Sequence, residues 1–320
     1  MNDIAVSVCI ITYNQENYIR QCLDSVFMQK TNFDFEVIVG EDGSPDNTRE
    51  ILLEYKEKYG DKLVLLLHDK NIGPSANARS IQQKVRGKYI ANVEGDDFWV
   101  DEYKLQKQYD ILENNPEYSA VCSDLMTVSP EGEVLKPALF SLKKDTTKTM
   151  KDWLRDGYSL HTCTIFSRNI FPVNDEKYMK LRAAEPTMGD LIVFTLLYDA
   201  GDIYVLKDVM SAHRVAGEKD ITSYSHAQKD KSIEYTYMFM RIMHNLEEYL
   251  DHKYDFYPRI CNRIASVKFK KLRGAVNYKE SEMREIMKTL SFKQKINVYY
   301  RLTKMIVTKG LAKVRSVYGR

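Results

Sequence analysis

The chain has 320 residues, 44% hydrophobic and 29% charged, with a formal net charge of +2. These values suit an ordinary folded protein with room for one large domain, or a domain and an extension, and exclude a disordered chain or a uniformly basic polyanion binder. Five scattered cysteines (Cys9, Cys22, Cys122, Cys163, Cys261) form no C-x-x-C pair, which argues for reduced thiols and against a zinc site or disulfide frame. No apolar run approaches the roughly 20 residues of a membrane span. The N-terminal stretch MNDIAVSVCIITYN lacks the basic region and cleavage site of a signal peptide. The expectation is therefore a cytoplasmic chain.

The first 130 residues alternate two periods. Ile4–Thr12 is a dense β-branched run, the pattern of a strand buried on both faces. Ile19, Cys22, Leu23, Val26 and Phe27 fall at helical spacing and predict a helix over 15–30. Phe35–Gly40 reads as a second strand, after which Asp46 can cap a helix carrying Ile51, Leu52 and Tyr55. A third strand is expected at Leu63–Leu67, a helix at Ser75–Val85 and a fourth strand at Tyr89–Val93. A further helix through Leu105, Gln108, Tyr109 and Leu112 stops at Asn115-Pro116, and Ser119–Val128 is strand-like. Beyond that the pattern loosens to a strand at Leu160–Phe166, a helix at Asp190–Tyr198 and a strand at Ile203–Leu206. From about Thr222 the chain reads as helix, with the domain boundary placed between Gly217 and Thr222. The expected organisation is an α/β domain over 1–217 and a helical, basic extension over 218–320. The α/β domain should be a mostly parallel sheet covered by helices on both faces.

Ligands of such sheets sit at the carboxyl ends of the strands. Those ends read TYN (12–14), GEDGS (40–44) and EGDD (94–97), all polar. Glu94, Asp96 and Asp97 crowd three carboxylates into four positions, and like charges that close need a counter-charge. A hard divalent cation with oxygen ligands, Mn2+ or Mg2+, fits, and it leaves room for a diphosphate. The plainer readings are an Asp96 or Asp97 that caps the helix opening near Asp101, an Asp42-Gly43 turn, a core Tyr13 and an Arg79 on a helix surface.

The segments VSVCIITYN, EVIVGEDGSPDNT, NIGPSANARSIQ and GKYIANVEGDDFW, in that order across 6–100, resemble the N-terminal half of family 2 glycosyltransferases. A looser resemblance runs to about 215, and EGDDFWVDEYKLQKQ resembles members that build bacterial surface polysaccharides. The resemblance implies the GT-A fold and a nucleotide-sugar donor, UDP-type. It implies that Thr12, Tyr13 and Asn14 line the base pocket, Glu16 lies near the ribose, and Asp42 accepts a hydrogen bond from the base. Arg79 faces the diphosphate, with Ser80 where Asn is usual. Glu94-Gly95-Asp96 takes the D-x-D position, with Asp96 as the leading metal ligand and Asp97 assisting. Glu94 replaces the usual first Asp, and its longer side chain suits the ribose or a water.

Sugar transfer from a nucleoside diphosphate needs the leaving group neutralised and the incoming hydroxyl deprotonated, the latter worth about 10²–10⁴-fold. Asp190, opening the apolar helix of EPTMGDLIVFTLLY, resembles the catalytic base of inverting members, with Glu185 in reserve; the alternative is a helix cap. MSAHRVAGE (210–218) resembles the family's Y-R-x-H segment, but Ala216 stands where His is common and His213 where Tyr is. Arg214 keeps the phosphate role by that resemblance, and His213 reads as strand-end packing. Trp99 is expected to flank the acceptor or sugar, with an aromatic wedged into the core as the equal alternative.

Ser291–Arg320 carries eight Lys/Arg and no Asp or Glu, interspersed with Ile296, Val298, Tyr299, Leu302, Ile306, Val307, Leu311 and Val314. Spacings of three and four predict an amphipathic basic helix suited to an anionic membrane. A helix packed on the catalytic domain and a contact in a homo-oligomer are the alternatives. No sheet of aromatic and basic residues suggests nucleic acid. The functional expectation is an inverting, metal-assisted glycosyltransferase acting on a glycan or lipid-linked acceptor in surface polysaccharide synthesis. A catalytically degenerate scaffold subunit and a nucleotidyltransferase are the competing readings. The loop TYNQENY lacks the glycine-rich basic stretch of the latter, and G-x-G-x-x-G of a dinucleotide enzyme is absent there too.

Overall fold

The computed structural model describes residues 4–157, 161–184, 188–215 and 231–318, the side chains of 309–318 excepted. Chain contacts divide it into two compact units, residues 1–150 with 159–217, and residues 151–158 with 218–320.

The first unit is an α/β layer structure. Strands β1 (Val6–Thr12), β2 (Phe35–Glu41), β3 (Leu63–Leu67) and β4 (Tyr89–Glu94) pair in parallel in the order β3-β2-β1-β4. Val6, Val8 and Ile10 of β1 and Val37, Ile38 and Val39 of β2 are fully buried, as runs covered on both faces must be. Helices α1 (Ile19–Phe27), α2 (Thr48–Tyr59) and α3 (Pro74–Gln82) supply the crossovers between these parallel strands. Helix α1 begins later than its apolar spacing predicts because residues 14–16 are bonded elsewhere. Asn14 adopts a left-handed φ of 57°, and the backbone N–H groups of Asn14, Gln15 and Glu16 donate to Ser44, Thr48 and Asp46.

The other half of the sheet is mixed. After the short β5 (Phe98–Trp99) and α4 (Lys104–Asn114) come β6 (Tyr118–Val128), β7 (Val134–Lys136), β8 (Thr146–Lys148), β9 (Phe166–Arg168) and β10 (Asp202–Arg214), giving the order β3-β2-β1-β4-β9-β6-β10-β5. Two departures from the sequence reading have local causes. The strand expected at 160–166 is instead a tight turn at Thr162–Thr164 followed by β9. There the carbonyl of Cys163 is taken by the Trp99 indole N–H (3.0 Å) and the Ser211 hydroxyl (2.8 Å) instead of a strand neighbour. The strand expected at 203–206 runs on to Arg214, because bulges around Val209 absorb the exposed Lys207-Asp208 and the ladder with β6 resumes at Ser211.

The second unit combines helix α5 (Met150–Asp156) with α8 (Ser232–Tyr249), α9 (Tyr257–Leu272), α10 (Glu280–Lys288) and α11 (Phe292–Tyr318); α6 (Glu176–Ala184) and α7 (Gly189–Ala200) belong to the first. Its core is built from Trp153, Phe239, Met243, Ile260 and Ile264, with the Arg259 guanidinium stacked 4.2 Å over the Trp153 ring. The boundary expected between Gly217 and Thr222 falls outside the described residues. The segment that carries α5 joins the helical unit although it lies far upstream in the sequence.

Candidate active site

The three polar strand ends meet at one edge of the sheet. The Asp42 N–H donates to the Thr12 carbonyl and the Gly95 N–H to the Ile11 carbonyl, both at 3.0 Å, so the loops after β2 and β4 flank the end of β1. Gly95 is required by this closeness: a Cβ there would stand 2.2 Å from Gln15 Oε1 and 2.8 Å from Thr12 Oγ1. Those two atoms are themselves hydrogen-bonded at 2.8 Å, with the Thr12 hydroxyl donating.

The residues expected to form the nucleotide pocket are brought together here. Tyr13 is 44% exposed at the loop crest, free to offer a ring face. Glu16 is tied to the second loop, accepting from the Asn47 backbone N–H (3.0 Å) and side-chain amide (2.6 Å). Asp42 is buried, and each carboxylate oxygen accepts a backbone N–H at the start of α3, from Ile72 at 2.7 Å and Gly73 at 3.0 Å. The turn reading of Asp42-Gly43 thus also holds: Gly43 has φ 69°, and a Cβ would strike the backbone of Lys70 and Asn71. Arg79, on α3, donates from Nη1 to the Arg182 carbonyl at 3.5 Å.

The acids after β4 separate into different roles. Asp97 is fully buried and already satisfied: it accepts the Arg214 backbone N–H at 2.9 Å, and its two oxygens lie 3.1 and 3.2 Å from His213 Nδ1. Burial pulls the His213 pKa down, but the hydrogen bond and charge of Asp97 outweigh it and leave the pKa raised. The Asp96 pKa is pushed up to about 6 by burial and by the charge of Asp97, despite its own backbone N–H and His213 and Arg214 nearby. Glu94 is raised well above the ordinary carboxylate value by burial and then by Asp97 and Asp96. One of its oxygens, Oε2, is buried and without a hydrogen-bond partner. The protein's own cations therefore leave this cluster under-neutralised, and one Glu94 oxygen has no hydrogen-bond donor facing it among the described residues.

Ligand atoms of Glu94, Asp97, His161 and Cys163 all lie within 4.8 Å of one another. His161, its ring 4.1 Å from that of His213, has its pKa lowered to about 4 by burial and by His213, so it is neutral near pH 7. The Cys163 thiol is raised well above its usual value by burial and by the charges of Asp97 and Glu94, which keeps it protonated. The carboxylates suit a hard divalent cation such as Mn2+ or Mg2+, whereas the His161 imidazole favours softer metals and a protonated thiol does not ligate a hard ion. The sequence reading passed over His161 and Cys163 and took His213 for strand-end packing. The strand alternation of MSAHR is a signal for His213; His161 and Cys163 carry none, because only the turn after residue 160 brings them under β4.

Two expected contacts are corrected. Trp99 is 1% exposed, with its indole N–H on the Cys163 carbonyl and the Lys104 ammonium 4.5 Å over its ring, so it has no face for an acceptor: the core alternative is the one found. Arg214 is equally committed. Its guanidinium donates to the carbonyls of Asp96 (3.0 Å), Ser129 (3.0 Å) and Pro130 (2.9 Å) and to Gln21 Oε1 (2.7 Å), and stacks 4.4 Å over Tyr18. It clamps the acidic loop from behind, and four of its five N–H donors are spent on protein acceptors.

Asp190 lies in the first turn of α7. Burial outweighs the nearby backbone N–H groups of this helix end and the charge of Arg182 and raises the Asp190 pKa. The Arg182 guanidinium braces this turn by donating to the Gly189 carbonyl at 2.6 Å. A Cβ on Gly189 would come 3.2 Å from Ser75 Oγ, so the turn abuts the start of α3, two residues past the N–H groups that hold Asp42. Glu185 and Ala216 lie outside the described residues.

The model of the family described as glycosyl transferase family 2 matches residues 7–173. The chain belongs to that family. It is 31% identical over 218 residues to an uncharacterised protein of Mycobacterium tuberculosis, covering 65% of this chain and 58% of that one, so it spans little more than half the relative's length. It is 35% identical over 107 residues to glycosyltransferase GlyA of Streptococcus pneumoniae, 33% of this chain and 15% of that one. Among solved structures, S. aureus TarS residues 1–349 in complex with UDP-GlcNAc superposes with a TM-score of 0.60 at 17% identity, covering 95% of this chain and 81% of that one. The family's GT-A-like fold is thus shared, and the acidic loop after β4 falls within the stretch that matches the family.

Proposed function

We propose that this chain is an inverting, metal-assisted glycosyltransferase that takes a sugar from a UDP-type nucleotide donor and passes it to a hydroxyl of a glycan or lipid-linked acceptor in cell-surface polysaccharide synthesis. The observation that carries the reading is the under-neutralised acid cluster at the end of β4, with its orphaned Glu94 oxygen, beside a loop pair built around Thr12 and Asp42. The TarS crystals that contain UDP and UDP-GlcNAc support the donor class.

In this reading Tyr13 stacks on the base, Thr12 and Asn14 line its pocket, Glu16 lies toward the ribose and Asp42 presents an acceptor lone pair to the base. Asp96, the acid not locked by His213 and Arg214, and Glu94 hold the divalent cation, while Asp97 fixes the loop and the His213 ring. The bound cation would neutralise the departing diphosphate. Arg79 adds positive charge on the diphosphate side. Asp190 accepts the proton of the attacking hydroxyl as the bond to the anomeric carbon forms and the nucleoside diphosphate leaves, and its raised proton affinity makes it a better base than a free carboxylate.

The test is a panel of nucleotide sugars followed by thermal stabilisation and nucleotide release, with and without Mn2+ or Mg2+. UDP-sugar binding that depends on metal and disappears in Asp96→Ala supports the reading. Metal-dependent binding unchanged by that substitution refutes the assignment of Asp96.

A further inference from the structure

Helix α11 has two faces of opposite character. Val298 is fully buried and Leu302 and Met305 half-buried, in a seam that packs on α9, where the Cys261 thiol donates to the Gln294 carbonyl at 3.6 Å. Arg301 is held on this inner side, donating to Asn297 Oδ1 and to the Arg155 carbonyl, both at 2.9 Å. The sequence pattern had placed Val298 and Leu302 with the other apolar residues on one face; packing separates them.

What remains outside is a large apolar stripe. Phe292 is 80% exposed, Ile296 54%, Tyr299 53%, Tyr300 66%, Ile306 46% and Val307 53%. Steps of four, three and seven residues align these side chains on one face along about 24 Å of helix, at ~1.5 Å per residue, with the exposed Thr303 between the two apolar groups and its hydroxyl turned back to the Tyr299 carbonyl. Lys293 and Lys304, eleven residues or three turns apart, border one side of the stripe, and Lys295 borders the other. With no Asp or Glu from Ser291 to Arg320, no partner within the helix neutralises these cations. A helix bathed in water carries polar residues on its outer face, and six large exposed apolar and aromatic side chains gathered on one face mark an interaction site.

We propose that this face of α11, over residues 292–308, docks on an anionic lipid surface. The helix lies in the plane of the interface, with the aromatic and aliphatic stripe entering the acyl boundary and the lysine stems reaching out to the phosphates. The charge pattern decides between occupants. A second copy set face to face would bring Lys293, Lys295 and Lys304 of both chains together without a carboxylate between them, whereas acidic headgroups complement them. The inference needs no transferase activity and is read without it.

The experiment is sedimentation of the full chain with vesicles of phosphatidylcholine alone and with roughly a third phosphatidylglycerol. Binding to the anionic vesicles, weakened by salt, is expected. Ile296→Asn with Val307→Asn should lower it at least about tenfold, and Lys293→Glu with Lys304→Glu at least about twentyfold, at about fivefold per cation. All four side chains face outward, so helix content should not change; if either pair loses it, Tyr300→Ser, at a 66% exposed position, gives the same reading. Equal uptake by neutral vesicles, or variants that bind as the parent does, would overturn the proposal. So would a dimer that the Ile296/Val307 pair dissociates in a chain that no vesicle retains.

Discussion

His213 Nδ1 stands within 3.2 Å of both carboxylate oxygens of Asp97, a residue 116 positions earlier in the chain. The contact joins the loop after β4 to the end of β10 and fixes which ring nitrogen holds the proton. Asp97→Asn removes the charge that sustains this arrangement. Metal affinity, read by titration calorimetry with Mn2+, should fall about 10- to 100-fold while the sheet stays folded. Affinity equal to the parent's would show that Asp97 has no part in holding the ion's surroundings.

Adding Mn2+ or Mg2+ near pH 7.5 should raise the melting temperature, and a chelator should reverse it. Saturation at a hundred times the dissociation constant corresponds to about 2.7 kcal/mol, a rise of several degrees for a chain of this size. Asp96→Asn should melt at the same temperature with and without metal. A full shift in that variant would move the site to other ligands.

Asp190→Asn should leave donor binding intact and reduce transfer at least ~10²-fold. Its pH dependence has a definite sign. Burial raises the Asp190 pKa, so the acid limb of kcat lies above the range of a free carboxylate; the Arg182 cation opposes that shift, and Arg182→Gln should move the limb to still higher pH. The same raised pKa favours folding below the ordinary carboxylate value and loses that contribution as pH rises through the folded value. A limb that moves down in Arg182→Gln would exclude Asp190 as the titrating base.

Arg214→Ala should cost about 1–3 kcal/mol, measured as a shift in the urea midpoint, because the half-buried carbonyls of Asp96, Ser129 and Pro130 lose this donor together, while Ser129 keeps the Gly132 N–H. Arg214→Lys should recover less than half of the loss, since an ammonium cannot span acceptors arranged around a planar fork. Full recovery by lysine would reduce the clamp to simple charge.

Trp99→Phe removes the indole donor from the Cys163 carbonyl, which keeps the Ser211 hydroxyl, and should cost about 0.5–1.5 kcal/mol, with the acceptor KM unchanged. A tenfold rise in KM at unaltered stability would return Trp99 to the acceptor site.

The parallel half of the sheet was legible because its strands are continuous buried runs and its helices keep strict apolar spacing; β2, β3 and β4 lie within a residue or so of where these patterns put them. The loops at their ends were legible for a related reason, since polar residues at the carboxyl edge of a parallel sheet have few structural uses. The mixed half was not. The turn at Cys163 and the bulges around Val209 are held by side chains from β5 and β10, which no local pattern announces.

The amino-acid order alone therefore determined the α/β frame, the crowded acids at 94–97 and the cation-rich terminal helix, because each follows from periodicity or charge within a short window. Tertiary structure decided the rest: that the Asp97 carboxylate pairs with His213 and lies beside Glu94, His161 and Cys163, that Trp99 and Arg214 face inward, and which side of α11 meets solvent. Those outcomes turn on burial and on partners more than a hundred residues away, and desolvation and hydrogen bonding act through space, not along the chain.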